Sequence, residues 1–211
     1  AGVWLCQHLW EHYAFGGDRT YLSQTAYPIM KGAAEFLLQW LQKDPQTGKW
    51  ITNPSTSPEN RFRYTDKNGV TQDAELSRSS GMDLGLTWDL LTNCIEASRI
   101  LNTDIAFRKQ LEEVRADLQP LRIGSKGQLL EWEKEFEEID PQHRHVSHLF
   151  ALRENRLSLK RILNWLMPAA VHSNYAETAE QDGLWHGKSI FGHACMTVIM
   201  HCLCYKTDLN M

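Results

Sequence analysis

Little in this chain supports a disulfide scaffold, a membrane-spanning helix or a nucleic-acid surface. Its 211 residues hold five cysteines, an odd number without framework spacing, so neither a disulfide framework nor a metal knuckle is expected. No apolar run approaches the roughly 18 residues that a spanning helix needs. Positive charge is in deficit, with 22 Lys and Arg against 26 Asp and Glu, and without a basic stripe nucleic acid is not expected as the main partner. An initiator Met and a targeting segment are also lacking. The chain enters a helical pattern at once, which reads as a start inside a longer protein.

What is present is an ordinary globular mixture, 42% hydrophobic and 23% charged, too polar and too mixed for collagen, a coiled coil or a disordered tail. Apolar residues at spacings of three and four predict helices over roughly Gly2 to Phe15, Arg19 to Gln24, Tyr27 to Gln42, Met82 to Leu101 and Asp104 to Leu118. Gly16-Gly17 stops the first, Asp18 caps the second, Pro28 sits in the first turn of the third and Pro120 closes the last. In the third, Ile29, Met30, Ala33, Phe36, Leu37, Trp40 and Leu41 are expected on one buried face. Lys49 to Thr52 reads as a short extended piece. Asn53 to Ser80 is polar, carries Pro54, Pro58 and an Asn68-Gly69 turn, and has no sustained period. A loop of that length in a compact domain is usually functional. Glu133 to Asp140 reads as an acidic, solvated stretch. The fold expected is all-α, with antiparallel helix pairs and one long functional loop.

Three features can carry chemistry. Glu59 stands in that loop, where catalytic groups on a rigid scaffold tend to lie; taken alone, it reads equally as a surface glutamate or a cap. His143-Arg144-His145-Val146-Ser147-His148 combines a planar guanidinium fork with imidazoles that donate or accept. Its spacing matches no helical His-x-x-x-His metal pair, and the plain alternative is a polar helix start with His148 in the core. Seven aromatics (Trp4, Trp10, Tyr13, Trp40, Trp50, Trp88, Trp132) could stack on sugar rings or simply fill the core. Glu11, Asp83, Asp89 and Glu131 lie near them in sequence, and chemistry alone selects none.

The motifs join up in one family. The run Trp4-Leu5-Cys6-Gln7-His8-Leu9-Trp10-Glu11-His12-Tyr13, then Gly17-Asp18 and Tyr27-Pro28-Ile29-Met30-Lys31-Gly32-Ala33-Ala34-Glu35-Phe36, resembles the catalytic domain of glycoside hydrolase family 95. So do Pro54-Ser55-Thr56-Ser57-Pro58-Glu59-Asn60, Met82-Asp83 with Trp88-Asp89-Leu90, Gly127-Gln128-Leu129 with Glu131-Trp132, and Arg144-His145-Val146-Ser147-His148-Leu149. These stand in the family's order over about residues 1 to 152. The resemblance implies an (alpha/alpha)6 toroid, incomplete here, and hydrolysis of terminal alpha-L-fucosyl or alpha-L-galactosyl linkages with inversion. It implies no metal or organic cofactor, and fucosylated glycans as partners rather than nucleic acid or membrane.

By the same resemblance Glu59 is the general acid and Arg144 and His145 bind the sugar, with Trp4 or Trp132 as stacking surfaces. A protonated Glu59 needs a raised pKa, expected from partial burial against Trp or Pro. The family's water-positioning asparagines would lie upstream of Ala1 and its aspartate downstream of Arg144-His145. The chain alone is therefore expected to be inactive, lacking N- and C-terminal parts of its parent. The family's substrates suggest a periplasmic or secreted protein of a bacterium. A non-catalytic carbohydrate-binding or scaffold helical module, and another (alpha/alpha)6 glycosidase, are the alternatives.

Composition shifts near position 152. Three of five cysteines (Cys195, Cys202, Cys204) fall in the last 17 residues, whereas 21 of 26 acidic residues precede position 153. Joining the last base of each codon to the first two of the next, permissible codons for Tyr175 to His201 spell a string resembling the family's Gly- and Trp-containing aspartate motif. Residues 153–211 are thus expected to be a frameshifted translation, poorly ordered or non-native. On that expectation His172, His186, His193 and the three late cysteines form no metal or redox site. The alternative is a divergent C-terminal helix with buried thiols.

Overall fold

A computed structural model describes residues 2–150; the expectations for residues 153–211 lie outside the described residues. Four long helices follow the sequence periodicity, and the 42–77 region between them is folded into short strands.

Helix α1 (Gly2–Gly16) ends as Gly17 turns into the left-handed region at φ 69°, where its N–H reaches Tyr13 O at 2.7 Å. Glycine takes that conformation without a Cβ clash. Asp18 then caps the three-residue α2 (Arg19–Tyr21), accepting from the N–H groups of Thr20 and Tyr21. A π turn over Leu22–Ala26 leads directly into α3 (Tyr27–Trp40). Pro28 has no N–H to close on the preceding turn, and the wider turn lets the chain continue helical through it.

The buried stripe of α3 is Tyr27, Met30, Ala34 and Leu37, continued by Leu41. Ile29 and Phe36, expected on that face, are exposed. The apolar residues of α3 span more than one face, so periodicity alone left the choice open. Helix α4 (Gly81–Leu101) runs through the middle of the core, with Leu84, Leu90, Leu91, Cys94, Ile95 and Ala97 enclosed. Contacts with α1, α3 and α5 (Ile105–Ala116) surround it, which is why so little of its circumference is exposed.

The α4–α5 corner is locked from outside. Asp104, at φ 51°, accepts from Tyr27 Oη at 3.0 Å and Lys31 Nζ at 2.7 Å. These hydrogen bonds, Lys31 first, hold the Asp104 carboxyl below the usual carboxylate range.

The all-α expectation needs correction, because the long polar segment is built of strands. β1 (Gln42–Lys43) pairs with β2 (Trp50–Ile51), β3 (Ser55–Thr56) with β6 (Leu76–Ser77), and β4 (Phe62–Thr65) with both β5 (Thr71–Ala74) and β7 (Glu137–Glu138), all antiparallel. Most of these strands are only two residues long, too short to show an alternating pattern. The Asn68-Gly69 turn does close a hairpin, with Gly69 at φ 79° and Asp66 accepting from Asn68 and Val70.

The stretch expected to be solvated is largely engaged. Glu133 is buried and binds Arg78 through both oxygens, at 2.6 and 2.7 Å. Phe136 stacks on Phe62 at 4.1 Å between centroids, and Glu137 and Glu138 form β7. No helix among the described residues is long and apolar enough to cross a membrane.

Candidate functional site: a carboxylate on a pinned loop

The Pro54–Asn60 loop is held from beneath, and its sequence shows why. Ser55, Ser57 and Asn60 are buried, while Thr56 and Glu59 are exposed. The two serines reach two different carboxylates. Ser55 Oγ donates to Asp83 Oδ2 at 2.7 Å, lies 2.9 Å from Ser80 Oγ and accepts from the Ser80 N–H at 2.9 Å. Ser80 in turn caps α4 by accepting from the Asp83 N–H. Ser57 Oγ donates to Glu131 Oε1 at 2.5 Å, and Asn60 Nδ2 donates to the same oxygen at 3.1 Å.

Burial raises the Asp83 carboxyl above its usual range, against the lowering effect of Ser55. Burial also pushes Glu131 up, but His148, Ser57 and Asn60 outweigh it and hold that carboxyl below its usual range.

Glu59 projects from this pinned loop at φ 54°, a left-handed backbone that a glutamate rarely adopts. Its side chain is 60% exposed. Arg144 Nη2 donates to Glu59 Oε2, and His145 Nε2 lies 3.1 Å from the same oxygen. His143 stands behind them, its Nδ1 accepting from the His145 N–H at 3.3 Å. The structure therefore brings together Glu59, Arg144 and His145, which are 85 and 86 positions apart in sequence.

One expectation about this group is overturned. Glu59 is not buried against Trp or Pro, and its pKa is lowered rather than raised. The His145 hydrogen bond is the main cause, followed by the Arg144 charge. The carboxyl is thus an ion beside the Arg144 guanidinium and the His145 ring.

The two tryptophans fare differently. Trp132 is 3% exposed and packs its ring against Phe62 at 5.2 Å, so it offers no open face for a sugar. This corrects its expected role as a stacking surface. Trp4 is 51% exposed on α1. The residues that sequence reasoning could not select are Asp83 and Glu131. Their burial and their serine partners exist only in three dimensions, although the alternating serines of 55–57 hinted at an inward-facing row. Among the described residues no group of three or more His, Cys, Asp or Glu has the geometry to hold a metal ion.

A loop-borne carboxyl with arginine and histidine partners, set on a helical frame, is equipment for proton transfer to a bound substrate. Comparison with known proteins places it more narrowly. The Glycosyl hydrolase family 95 catalytic domain matches residues 1–183, and the chain belongs to that family. It is 40% identical over 152 residues to Alpha-L-fucosidase 2 of Arabidopsis thaliana, an alignment covering 72% of this chain and 17% of that protein. It is 30% identical over 153 residues to Probable alpha-fucosidase A of Aspergillus niger, covering 70% of this chain and 18% of that protein. The chain thus spans less than a fifth of the length of either relative.

Proposed function

We propose that this chain carries the acid-donating side of an inverting alpha-L-fucosidase-like active site, on part of an (alpha/alpha)6 toroid. The substrates are terminal alpha-L-fucosyl or alpha-L-galactosyl linkages of glycans. The observation that supports this best is the meeting of Glu59 with Arg144 and His145 on one carboxylate oxygen, in a chain of this family.

In this reading Glu59 protonates the glycosidic oxygen as the bond from the anomeric carbon breaks. A water attacks that carbon from the opposite face and gives up its own proton to a base there. Arg144 and His145 both sit on Oε2 of Glu59, which leaves Oε1 to present the proton. The lowered pKa of Glu59 fits the same cycle. Sugar hydroxyls that engage Arg144 and His145 draw them from Oε2, and the Glu59 carboxyl then rises towards a protonated form. Trp4 is the exposed aromatic available for stacking, and no cofactor takes part.

The test is the anomer first released when the complete gene product cleaves an alpha-L-fucoside, followed by proton NMR. Inversion releases beta-L-fucose first. Release of the alpha anomer first, or no cleavage of either alpha-L-fucosides or alpha-L-galactosides, would sink the proposal.

A further inference from the structure

Glu131 is nearly sealed from solvent, at 5% exposure, and yet three segments converge on this residue, two of them on its carboxylate. From the 55–60 loop come Ser57 and Asn60, both to Oε1. From the segment after Arg144-His145 comes His148, whose buried Nδ1 faces Oε2 at 3.5 Å. From the start of α4 comes the Gly81 N–H, which reaches the Glu131 backbone carbonyl at 2.9 Å. Ser57 and Asn60 bracket Glu59 in sequence, and His148 follows His145 by three residues. One buried ion therefore touches both halves of the Glu59, Arg144 and His145 group without touching the group itself.

A purely structural filler would not need a charge here. Burying a carboxylate is costly, and a well-packed apolar group is often neutral or better at such a site. What an ion offers over a filler is several hydrogen-bond acceptors aimed in fixed directions. The strained backbone of Glu59 agrees, since a left-handed glutamate persists only where its surroundings over-determine it. The side chains that fix the turn on either side of it are the two that Glu131 holds.

We propose that Glu131 is a positioning residue for proton transfer: by gripping Ser57 and Asn60 on one oxygen and facing His148 with the other, it sets the place of the Glu59 carboxyl relative to Arg144 and His145. This rests on Glu59 being the general acid. It predicts a specific kinetic signature, because displacing the acid harms only those substrates whose leaving group needs a proton.

The experiment uses the complete gene product with Glu131→Gln and, as the milder variant, Ser57→Ala, which deletes one hydroxyl. Each is assayed on an alpha-L-fucosyl disaccharide and on alpha-L-fucosyl fluoride, whose leaving group departs without protonation. The expected kcat loss on the disaccharide is about 10- to 100-fold, with about threefold or less on the fluoride and little change in either KM. Equal losses on both substrates would mean that Glu131 only supports the fold, and would overturn the proposal. Glu59→Gln is the control that separates the two readings. If it spares the fluoride and cripples the disaccharide while Glu131→Gln and Ser57→Ala do neither, the positioning role falls and the acid assignment stands. If Glu59→Gln lacks this selectivity, Glu59 is not the acid and both readings fall. Should Glu131→Gln fail to fold, Ser57→Ala carries the test, and the same two outcomes decide it.

Discussion

Replacing Gly81 by alanine adds one methyl group where three segments of the site meet. A Cβ built there would lie 3.1 Å from Leu130 O, 3.3 Å from His148 Cα and 3.4 Å from His148 Cβ. Two of these neighbours are backbone atoms, and the Gly81 N–H is bonded to the adjacent Glu131 carbonyl, so relief requires the 130–131 segment or the 147–149 turn to move. Overpacking of this kind costs about 1–3 kcal/mol. Alanine recovers at most about 1 kcal/mol through its helix preference, and less at a helix's first residue. The net expectation is a loss of about 1–2 kcal/mol, or a fall in Tm of about 2–8 °C for a chain of this size.

Gly32 is the internal control. It lies within α3, exposed, with nothing within 4 Å of a built Cβ, so Gly32→Ala should stabilise by about 0.4–1 kcal/mol. Urea midpoints of the three proteins read both effects. A Gly81→Ala variant as stable as its parent, or equal losses from the two alanines, would refute the packing described around Glu131.

Three further predictions follow from charge. Replacing Arg144 by Gln should raise the Glu59 carboxyl pKa towards its ordinary value, read by carbon-13 NMR of labelled glutamate; an unchanged titration would break the link between Arg144 and Glu59. In the active enzyme, because the free Glu59 is held low, kcat/KM should decline at lower pH than kcat does as pH rises. Asp104, whose folded pKa is depressed by Lys31 and Tyr27, contributes stability above its unfolded value that is lost as pH falls through its folded value. Asp104→Asn should therefore destabilise the chain near neutral pH and narrow the gap to its parent in acid. A gap that widens in acid would contradict this assignment.

The helices were legible because their apolar residues recur at helical spacing and because Gly17 and Pro120 mark ends by backbone geometry and Asp18 a start by capping. The strands of the 42–77 region were not. Two-residue pairings such as Ser55 with Ser77 carry no periodic signal, and the Glu137–Glu138 strand is held by partners 74 and 76 residues away. The face of α3 was misread because Ile29 and Phe36 are as apolar as the residues that are truly enclosed.

At the site, Glu59, Arg144 and His145 were accessible through family resemblance, and the structure brings the three into contact. Their environment was not accessible. Exposure, the His145 hydrogen bond and the Arg144 charge reverse the expected shift at Glu59, and the burial of Asp83, Glu131 and Trp132 depends on packing between segments far apart in sequence.

The most direct measurement is the turnover of an alpha-L-fucosyl disaccharide by the complete gene product with Glu59→Gln. The account predicts a fall of about 10²- to 10⁴-fold in kcat, the usual contribution of a general acid, in a protein that is folded and still binds the sugar. Undiminished turnover would contradict it.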